Sequence, residues 1–268
     1  MTLTFSAIRI ASRFFLLLCL LFLLKPASAQ KRGAARECIE LKVYHAADTN
    51  QLALIEQYLQ ASFLPTAGKK GFNRIGVFKA IDNDTAKDKR LYVLIPLKSL
   101  AQWEGLQSVY NATIQDTLTV PAYAKALHNN APFTRTETIL MKAFEGMPQL
   151  KASRLSNDKA ERIYELRSYE SATEALHQNK VKMFNDGEVA LFEKLGFNAV
   201  FYGQVIAGNR MPNLVYMTSF ANKGSRDEHW KTFGGHPEWK AMSSKAEYQN
   251  NVSKIDITFL RATAYSKL

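Results

Sequence analysis

The sequence contains a weak internal repeat that spans most of the chain. Residues 40–44 (ELKVY) resemble residues 165–169 (ELRSY), and the tripeptide Gly-Phe-Asn occurs at 71–73 and again at 196–198. Both pairs are separated by the same 125 residues. Two copies offset by 125 residues in a chain of 268 residues indicate two structural units. The units should be similar, because copies of one sequence fold into the same order of elements.

The hydrophobic pattern gives the same element order in each unit. Residues 38–44 and 163–169 alternate between two sets of side chains with the two-residue period of a half-buried strand. Each strand is followed by an amphipathic helix pattern, a hairpin of two strands, a second helical stretch and a closing strand. We therefore predict β-α-β-β-α-β over residues 37–145, a linker rich in turn-forming residues over 146–160, and the same order over 161–268.

This element order predicts an α+β fold in which each unit is a ferredoxin-like half. A four-stranded sheet of that type has helices on one face only, so its bare face must be buried, usually against a second sheet. The second sheet is available on the same chain, and we expect the two halves to pack sheet to sheet as a sandwich or barrel. Pairing of each half with another copy of the chain is the alternative, and it predicts a homodimer.

The first residues have the pattern of a secretory signal peptide. A basic region precedes an apolar run at residues 14–24, and residues 27–29 (ASA) supply the small side chains of a cleavage site. The run is short for a bilayer span, which favours cleavage after Ala29 over a retained membrane anchor. We expect an exported protein, periplasmic or secreted, with no stable membrane span once residues 1–29 are removed.

Charge and cysteine content narrow the classes of function. The net charge of +11 falls to +8 without Arg9, Arg13 and Lys25 of the leader, since 32 basic and 24 acidic residues remain. The surplus is scattered, whereas nucleic-acid binding needs a concentrated basic patch, so we do not expect nucleic acid as a partner. Cys38 is the only cysteine left after cleavage, which excludes an intrachain disulfide and leaves the core to stabilise the fold.

Several motifs of the second unit together resemble the NIPSNAP family. They are residues 163–169 (IYELRSY), residues 211–216 (MPNLVY), the Ser225-Arg226 pair and the stretch from Trp230 onward. The resemblance covers residues 161–268 well, and 37–145 is a degenerate relative. The first unit has the sequence AQW at 101–103 and no counterpart of the serine-arginine pair. The resemblance therefore does not predict the same site in both units.

The resemblance implies the dimeric α/β-barrel superfamily, with the two halves of one chain acting as a pseudo-dimer. This superfamily includes small monooxygenases and haem enzymes. NIPSNAP proteins themselves have no generally established reaction, and the animal members are known chiefly as mitochondrial proteins with interaction roles. An exported member differs from that setting, so mitochondrial roles are not transferred to this chain.

Alternation along the two matching strands predicts a polar site. If Tyr164 and Leu166 face the helices, then Glu165, Arg167 and Tyr169 face the space between the sheets. Arg167 would bind an anionic group, Tyr169 would donate a hydrogen bond, and Glu165 would orient the arginine or transfer protons. The first-half counterparts are Glu40, Lys42 and Tyr44. The alternative interpretation is an ion-pair network that only fixes how the halves dock.

Further ligand-binding candidates come from the rest of the second unit. They are Tyr202, Tyr216, Arg226, His229 and Trp230. His229 is a candidate for proton transfer. However, His229 and His236 lie seven residues apart across two glycines, with no third histidine nearby, so we predict no metal site. We also predict no cofactor, and the catalytic residues of any reaction are unknown at this stage.

Three functions stay open. The sequence contains no hydrolase nucleophile elbow, phosphate-binding glycine loop, dinucleotide fingerprint or paired-cysteine metal motif, which disfavours hydrolases, kinases and Rossmann oxidoreductases. The first function is binding of a small aromatic or anionic ligand between the two sheets. The second is a cofactor-independent enzyme, monooxygenase- or isomerase-like, that uses the same pocket, and the third is a non-enzymatic interaction module. We favour the first, and the sequence identifies neither a ligand nor a reaction.

Overall fold

The computed structural model describes residues 34–268. The predicted signal peptide, residues 1–29, therefore lies outside the described residues. Among the residues that are described, no helix has both the length and the apolar character needed to cross a membrane.

In the first half, strands and helices follow the predicted order. The first helix passes without a break into one π-helical turn and then into a second α-helix, all before the hairpin. The elements are β1 (Cys38–Ala46), α1 (Thr49–Tyr58), a π turn (Leu59–Phe63), α2 (Leu64–Lys69), β2 (Gly76–Ala80), a 3-10 turn (Ile81–Asp84), β3 (Lys89–Leu97), α3 (Leu100–Ile114), α4 (Pro121–Ala124), a 3-10 turn (His128–Asn130) and β4 (Arg135–Ala143).

The second half has the same order of elements. The segment that joins the halves forms no helix or strand in the described structure, yet its residues Met147 and Leu150 are buried. The elements are β5 (Ile163–Glu170), α5 (Glu174–Met183), a π turn (Phe184–Glu188), α6 (Val189–Lys194), β6 (Asn198–Ala207), β7 (Asn213–Phe220), α7 (Lys223–Gly235), α8 (Pro237–Ser243), a 3-10 turn (Ala246–Tyr248) and β8 (Lys254–Ala262).

The strands of the described chain form one closed antiparallel barrel. Their order around the barrel is β1-β3-β2-β8-β5-β7-β6-β4, so the first four strands occupy one arc and the last four occupy the other. The arcs meet where β2 pairs with β8 and where β4 pairs with β6. The predicted mixed fold with a barrel-like antiparallel sheet is confirmed. Its two sheets join edge to edge within one chain, so the barrel closes without a second copy.

The barrel interior is filled by apolar side chains from both arcs. They include Ile39, Leu41, Val43, Tyr164 and Leu166. The expected orientation of β5 was therefore wrong, because Tyr164 and Leu166 face the interior. Glu165, Arg167 and Tyr169 face the helices instead. A barrel of eight strands has room for its own side chains or for one small ligand. Apolar side chains suit such an interior because they need no hydrogen-bond partner, whereas helices can supply hydrogen-bond donors to buried charges.

Each arc carries its own layer of helices on the outside. In the first half, the outer face of the sheet packs against a cluster that includes Tyr58, Phe63 and Leu106. In the second half, the corresponding cluster is richer in aromatic rings and includes Phe184 and Phe192. Residues 34–268 thus contain three apolar clusters, one inside the barrel and one under each helical layer.

The two π turns repeat the internal offset of the sequence. Phe184–Glu188 follows Leu59–Phe63 by the same 125 residues. Pro65 does not end the helical segment, and the chain stays helical through α2. Pro65 lies in the first turn after the π turn, where its missing N–H costs least. The helices end at Gly71 and Gly196, whose φ angles of +88° and +78° suit the left-handed conformation of a helix stop.

Candidate functional site

Glu40 and Glu165 occupy matching places on the outer faces of β1 and β5. Each carboxylate is completely buried and accepts a hydrogen bond from a tryptophan on the helix above it. Trp103 Nε1 lies 2.5 Å from Glu40 Oε2, and Trp230 Nε1 lies 2.7 Å from Glu165 Oε2. A carboxylate removed from water needs such donors. The halves therefore share a buried glutamate–tryptophan pair and differ in the remaining partners.

In the second half, Arg226 neutralises Glu165. Its Nε and Nη2 atoms donate to the two carboxylate oxygens at 2.9 and 2.6 Å, the bidentate geometry that makes such pairs strong. These hydrogen bonds raise the pKa of the Arg226 guanidinium, so the arginine stays charged. Arg167 adds a second cation, with Nη1 at 3.5 Å from Glu165 Oε1.

Arg167 is held between aromatic rings. Its guanidinium carbon lies 4.1 Å from the Trp230 ring centre and 5.6 Å from that of Tyr169, which adds cation–π attraction. The Tyr169 hydroxyl lies 2.9 Å from the Tyr216 hydroxyl, and the rings of Tyr216 and Tyr202 stack at 5.6 Å. The structure thus brings most of the predicted second-half residues together. It forms a layer of ion pairs and rings that lies under the helices of the second half, and not between the two halves.

His229 lies apart from this cluster. Its Nδ1 atom lies 2.6 Å from the carbonyl oxygen of Ser225 in the same helix. Its ring packs edge-on against Phe197 at 5.5 Å and contacts Phe220 at the same distance. These contacts make His229 a packing residue of α7. Within residues 34–268, no group of three or more histidine, cysteine, aspartate or glutamate side chains is placed to hold a metal ion.

In the first half, no arginine neutralises Glu40. The second donor to its carboxylate is the Tyr110 hydroxyl at 2.7 Å. Lys42 lies beside this pair, with its Nζ atom 4.5 Å from the Tyr110 ring centre and 3.5 Å from Thr138 Oγ1. Burial lowers the pKa of Lys42, although the nearby charge of Glu40 opposes the change. Among the described carboxylates, none forms an ion pair with this ammonium group.

A cavity of about 430 Å³ opens beside Lys42, between the first-half sheet and its helices. Most of its walls are aromatic or aliphatic. They are formed by Lys42, Tyr44, Tyr58, Gln107, Tyr110, Ile114, Tyr123, Ala124, Ala126, Pro132, Phe133 and Thr136. Both the volume and the combination of apolar walls with a few polar groups are usual for a small-molecule site.

The tyrosines of this cavity are hydrogen-bond donors. The rings of Tyr58 and Tyr123 stack at 4.0 Å with an interplanar angle of 6°, and the Tyr58 hydroxyl lies 2.9 Å from Thr113 Oγ1. Burial raises the pKa of Tyr58 to about 12. It also raises the pKa values of Tyr44 and Tyr110 well above their ordinary value. All of these phenols are therefore protonated near neutral pH.

Sequence reasoning found only part of this cavity. Lys42 and Tyr44 were predicted as first-half counterparts, whereas Tyr58 and Tyr123 were missed. Tyr58 lies in the predicted first helix but outside the apolar stripe assigned to it. A signal for Tyr123 is present, because the PAY motif that contains it matches the PEW motif at 237–239. In both motifs a proline begins a short helix and an aromatic residue follows two positions later.

Residues 164–267 match the model of the NIPSNAP family. This segment is a NIPSNAP domain. The match confirms the resemblance carried by the second-half motifs. Among curated protein sequences, none matches the chain significantly.

Three solved structures share the fold over most of the chain. A candidate monooxygenase from Lactobacillus acidophilus NCFM is 11% identical over 85% of this chain and 94% of its own, with a TM-score of 0.54. A candidate monooxygenase from Fusobacterium nucleatum is 9% identical over 85% and 93%, with the same score. An anthrone oxidase-like protein is 12% identical over 88% and 95%, with a TM-score of 0.51. At these identities the likeness concerns the fold alone.

The NIPSNAP domain and the aromatic cavity lie in different halves. The domain contains the filled cluster around Glu165, whereas every residue of the cavity lies between Lys42 and Thr136. The glutamate–arginine cluster of the half that matches the family and the aromatic cavity of the other half are therefore separate features.

Proposed function

We propose that the protein binds one small aromatic ligand with an anionic group in the first-half cavity. The observation that carries this proposal is the ammonium of Lys42, which is partly buried, has no carboxylate partner among the described residues and lies in an aromatic wall. The proposed site lies between the sheet and the helices. The sequence-based proposal placed the ligand between the two sheets, so the site proposed here differs from it.

An anionic aromatic ligand satisfies the groups that the cavity presents. Burial lowers the pKa of Lys42, so its charged form is held at a cost that a bound anion would offset. The ring of the ligand would stack against the Tyr58–Tyr123 pair or Phe133. The Tyr110 hydroxyl already donates to Glu40 and the Tyr58 hydroxyl is paired with Thr113, so the Tyr44 and Tyr123 hydroxyls are the ones that could donate to a ligand. An aromatic carboxylate or phenolate therefore fits better than a neutral aliphatic molecule.

Calorimetric titration with 1-naphthoate and with its uncharged analogue 1-naphthylmethanol tests this proposal. We expect 1-naphthoate to bind the protein lacking residues 1–29. The Lys42→Met variant should lose about tenfold in affinity for 1-naphthoate and keep its affinity for the alcohol, because a charge-assisted hydrogen bond contributes about 1.5–3 kcal/mol. Lys70→Met, at an exposed position, is the charge-matched control. No binding of either compound, or equal affinities in both variants, would favour a non-enzymatic interaction module.

Cofactor-independent oxygenation is the second candidate function. It is supported by the lowered pKa of Lys42, which makes its amine a better candidate base, and by the names of the fold neighbours, two candidate monooxygenases and an anthrone oxidase-like protein. In such a reaction Lys42 would take a proton from an electron-rich aromatic substrate, and dioxygen would oxidise the resulting anion. Oxygen uptake in the presence of anthrone, lost in Lys42→Met, would support it. Uptake no faster than in buffer would argue against it.

We also propose that the barrel consists of two ferredoxin-like halves derived by duplication. Two observations support this view: each half has the order β-α-β-β-α-β, and the strand orders β4-β1-β3-β2 and β8-β5-β7-β6 correspond position by position. Separate expression of residues 35–145 and 161–268 would test it. Reassembly of the two fragments into a folded complex is expected, and failure of both to fold or associate would count against independent halves.

We propose export for the precursor, on the basis of the leader sequence at residues 1–29. Cell fractionation followed by N-terminal sequencing of the mature protein is the test. A mature terminus at Gln30 in the exported fraction is expected. An intact N-terminus in the cytoplasmic fraction would overturn the proposal.

A further inference from the structure

A second cavity lies in the NIPSNAP domain, between α5, α8 and the chain that leads into β8. Its volume is about 320 Å³. Lys180 and Met183 contribute from α5, Trp239 from α8, and Tyr248 and Asn251 from the segment before β8. None of these side chains belongs to the glutamate–arginine cluster described above.

This cavity occupies the place that corresponds to the first-half cavity. Met183 follows Tyr58 by the 125-residue offset of the repeat, and each lines the cavity of its own half. Trp239 is the aromatic residue of the PEW motif, and Tyr123 is the aromatic residue of the matching PAY motif. Two matching pairs therefore line the two cavities. The two walls nevertheless differ in chemistry, because Lys180 and Asn251 bring polar groups to the second cavity.

Asn251 has an unused hydrogen-bond donor in this second cavity. The residue is only 3% exposed. Its Oδ1 atom accepts a hydrogen bond from Asn179 Nδ2 at 3.2 Å, whereas its own Nδ2 atom has no acceptor among the described residues. A buried donor without a partner costs about 1–3 kcal/mol. The Nδ2 atom lies just beneath the cavity surface, and a turn of the amide about its soft terminal torsion would bring it to an acceptor atom in the cavity and remove this cost.

The charged groups around the cavity are paired with one another. Lys180 Nζ lies 2.8 Å from Glu188 Oε2 and 5.6 Å from the Trp239 ring centre. Lys182 pairs with Asp186. Lys245 Nζ lies 5.7 Å from the Tyr248 ring centre. Lys180 has N–H groups beyond the one that Glu188 accepts, so a ligand oxygen can be shared between this ammonium and Asn251.

We propose that this second cavity binds a small carboxylic acid with an apolar ring. One carboxylate oxygen would accept from Asn251 Nδ2 and the other would contact the Lys180 ammonium. The ring would pack against Trp239 and Tyr248, which have the flat apolar surfaces that ring stacking requires. The proposal concerns different residues from the first-half cavity, so either site can fail without the other.

Titration of ¹⁵N-labelled protein with phenylacetate, followed by NMR, tests the proposal directly. The side-chain amide signals of Asn251 are identified by their loss in Asn251→Asp, and the indole signal of Trp239 by its loss in Trp239→Phe. We expect saturable shifts of both signals with phenylacetate and weaker or no shifts with 2-phenylethanol, which has no carboxylate. Signals of Lys42 and Tyr44 report separately on the first cavity.

Variants of equal charge provide the control. Asn251→Asp keeps the shape, removes the donor and adds a negative charge, so we expect at least a tenfold loss of phenylacetate affinity. Asn50→Asp adds the same charge at an exposed position of the first half and should leave the affinity unchanged. The proposal is overturned if phenylacetate causes no saturable shift at Asn251, if 2-phenylethanol binds equally well, or if Asn251→Asp binds like the wild type.

Discussion

Each half of the barrel buries a glutamate under a helix, but the partners that satisfy its carboxylate differ between the halves. In the second half, Glu165 receives two hydrogen bonds from Arg226 and one from Trp230, and the surrounding layer is filled by aromatic rings. In the first half, Glu40 receives hydrogen bonds only from neutral donors, Trp103 and Tyr110. The space beside it is a cavity.

The difference teaches that a shared motif need not mark a shared function. Charge neutralisation by arginine lets the second-half glutamate act as a rigid connection between sheet and helix. Among the described residues of the first half no arginine takes that place, and the cation nearest Glu40 is Lys42, which has no carboxylate partner there. If the proposed first-half site is occupied, the family signature and the ligand belong to different halves.

The largest effect is expected when the two glutamates are truncated in turn. Glu165→Ala leaves Arg167 without a carboxylate partner and Arg226 with Asp227 alone, and loss of one partner of a buried ion pair costs about 3–5 kcal/mol. Glu40→Ala leaves only neutral donors unsatisfied, so about 1–3 kcal/mol is expected. Urea unfolding of both variants measures the free energies. Equal losses would mean that Arg226 contributes no more than a neutral partner.

Lys42 should give stability a dependence on alkaline pH. Because burial lowers its pKa in the folded state below the ordinary value of 10.5, the unfolded chain binds more protons in the interval between the two values. The contribution of Lys42 to stability therefore rises as pH increases toward 10.5, by at most about 1.4 kcal/mol per pH unit. The difference in unfolding free energy between wild type and Lys42→Met measures it. A difference that stays constant over this range contradicts the prediction.

Glu188 should give the opposite slope in acid. Burial raises its pKa above the ordinary value of 4.5, with Lys180 acting against the change. The folded state therefore holds a proton that the unfolded state releases, so the stabilising contribution is present below pH 4.5 and is lost as pH rises through the folded-state pKa. Comparison of wild type with Glu188→Gln from acid to neutral pH isolates this slope. An ion pair strong enough to lower the pKa of Glu188 would reverse its sign.

The smallest effect concerns the hydroxyl pair of the second half. Tyr169→Phe leaves the buried hydroxyl of Tyr216 without its partner at 2.9 Å, and we expect a loss of about 1 kcal/mol. The double variant Tyr169→Phe/Tyr216→Phe removes both polar groups and should be less destabilised than the sum of the two single variants. Additive losses in a double-mutant cycle would show that the two hydroxyls do not depend on each other.

Sequence periodicity predicted the elements well, because strand and helix periods are local properties. The repeat of residues 40–44 at 165–169 correctly marked two matching strands. Periodicity did not predict which face of β5 points inward, since both faces of a strand in this fold are covered. The choice depends on Arg226 and Trp230, which are distant in sequence and neutralise Glu165 only in the folded chain.

The first-half cavity was harder to predict than the second-half cluster. Charged residues such as Glu165 attract notice in a sequence because burial makes them costly. An empty volume has no such signal, and it arises here because rings such as Tyr58 and Tyr123 stack on each other and leave the space beside Lys42 unfilled. Only the matching PAY and PEW motifs pointed to the short helices that border the two cavities.

The strand pairings between the two arcs, the seams of the barrel, determine which part of it can open first. Within each arc the ladders are long; β1 and β3, for example, pair along their full length from Cys38 to Ala46. Between the arcs, β2 and β8 pair only through Phe78–Ala80 and Leu260–Ala262. Amide hydrogens at this short seam should exchange with solvent by local opening before those of β1 or β5. Each arc would then behave as a separate cooperative unit during partial unfolding, and transient separation of the arcs would expose the apolar interior without melting either helical layer.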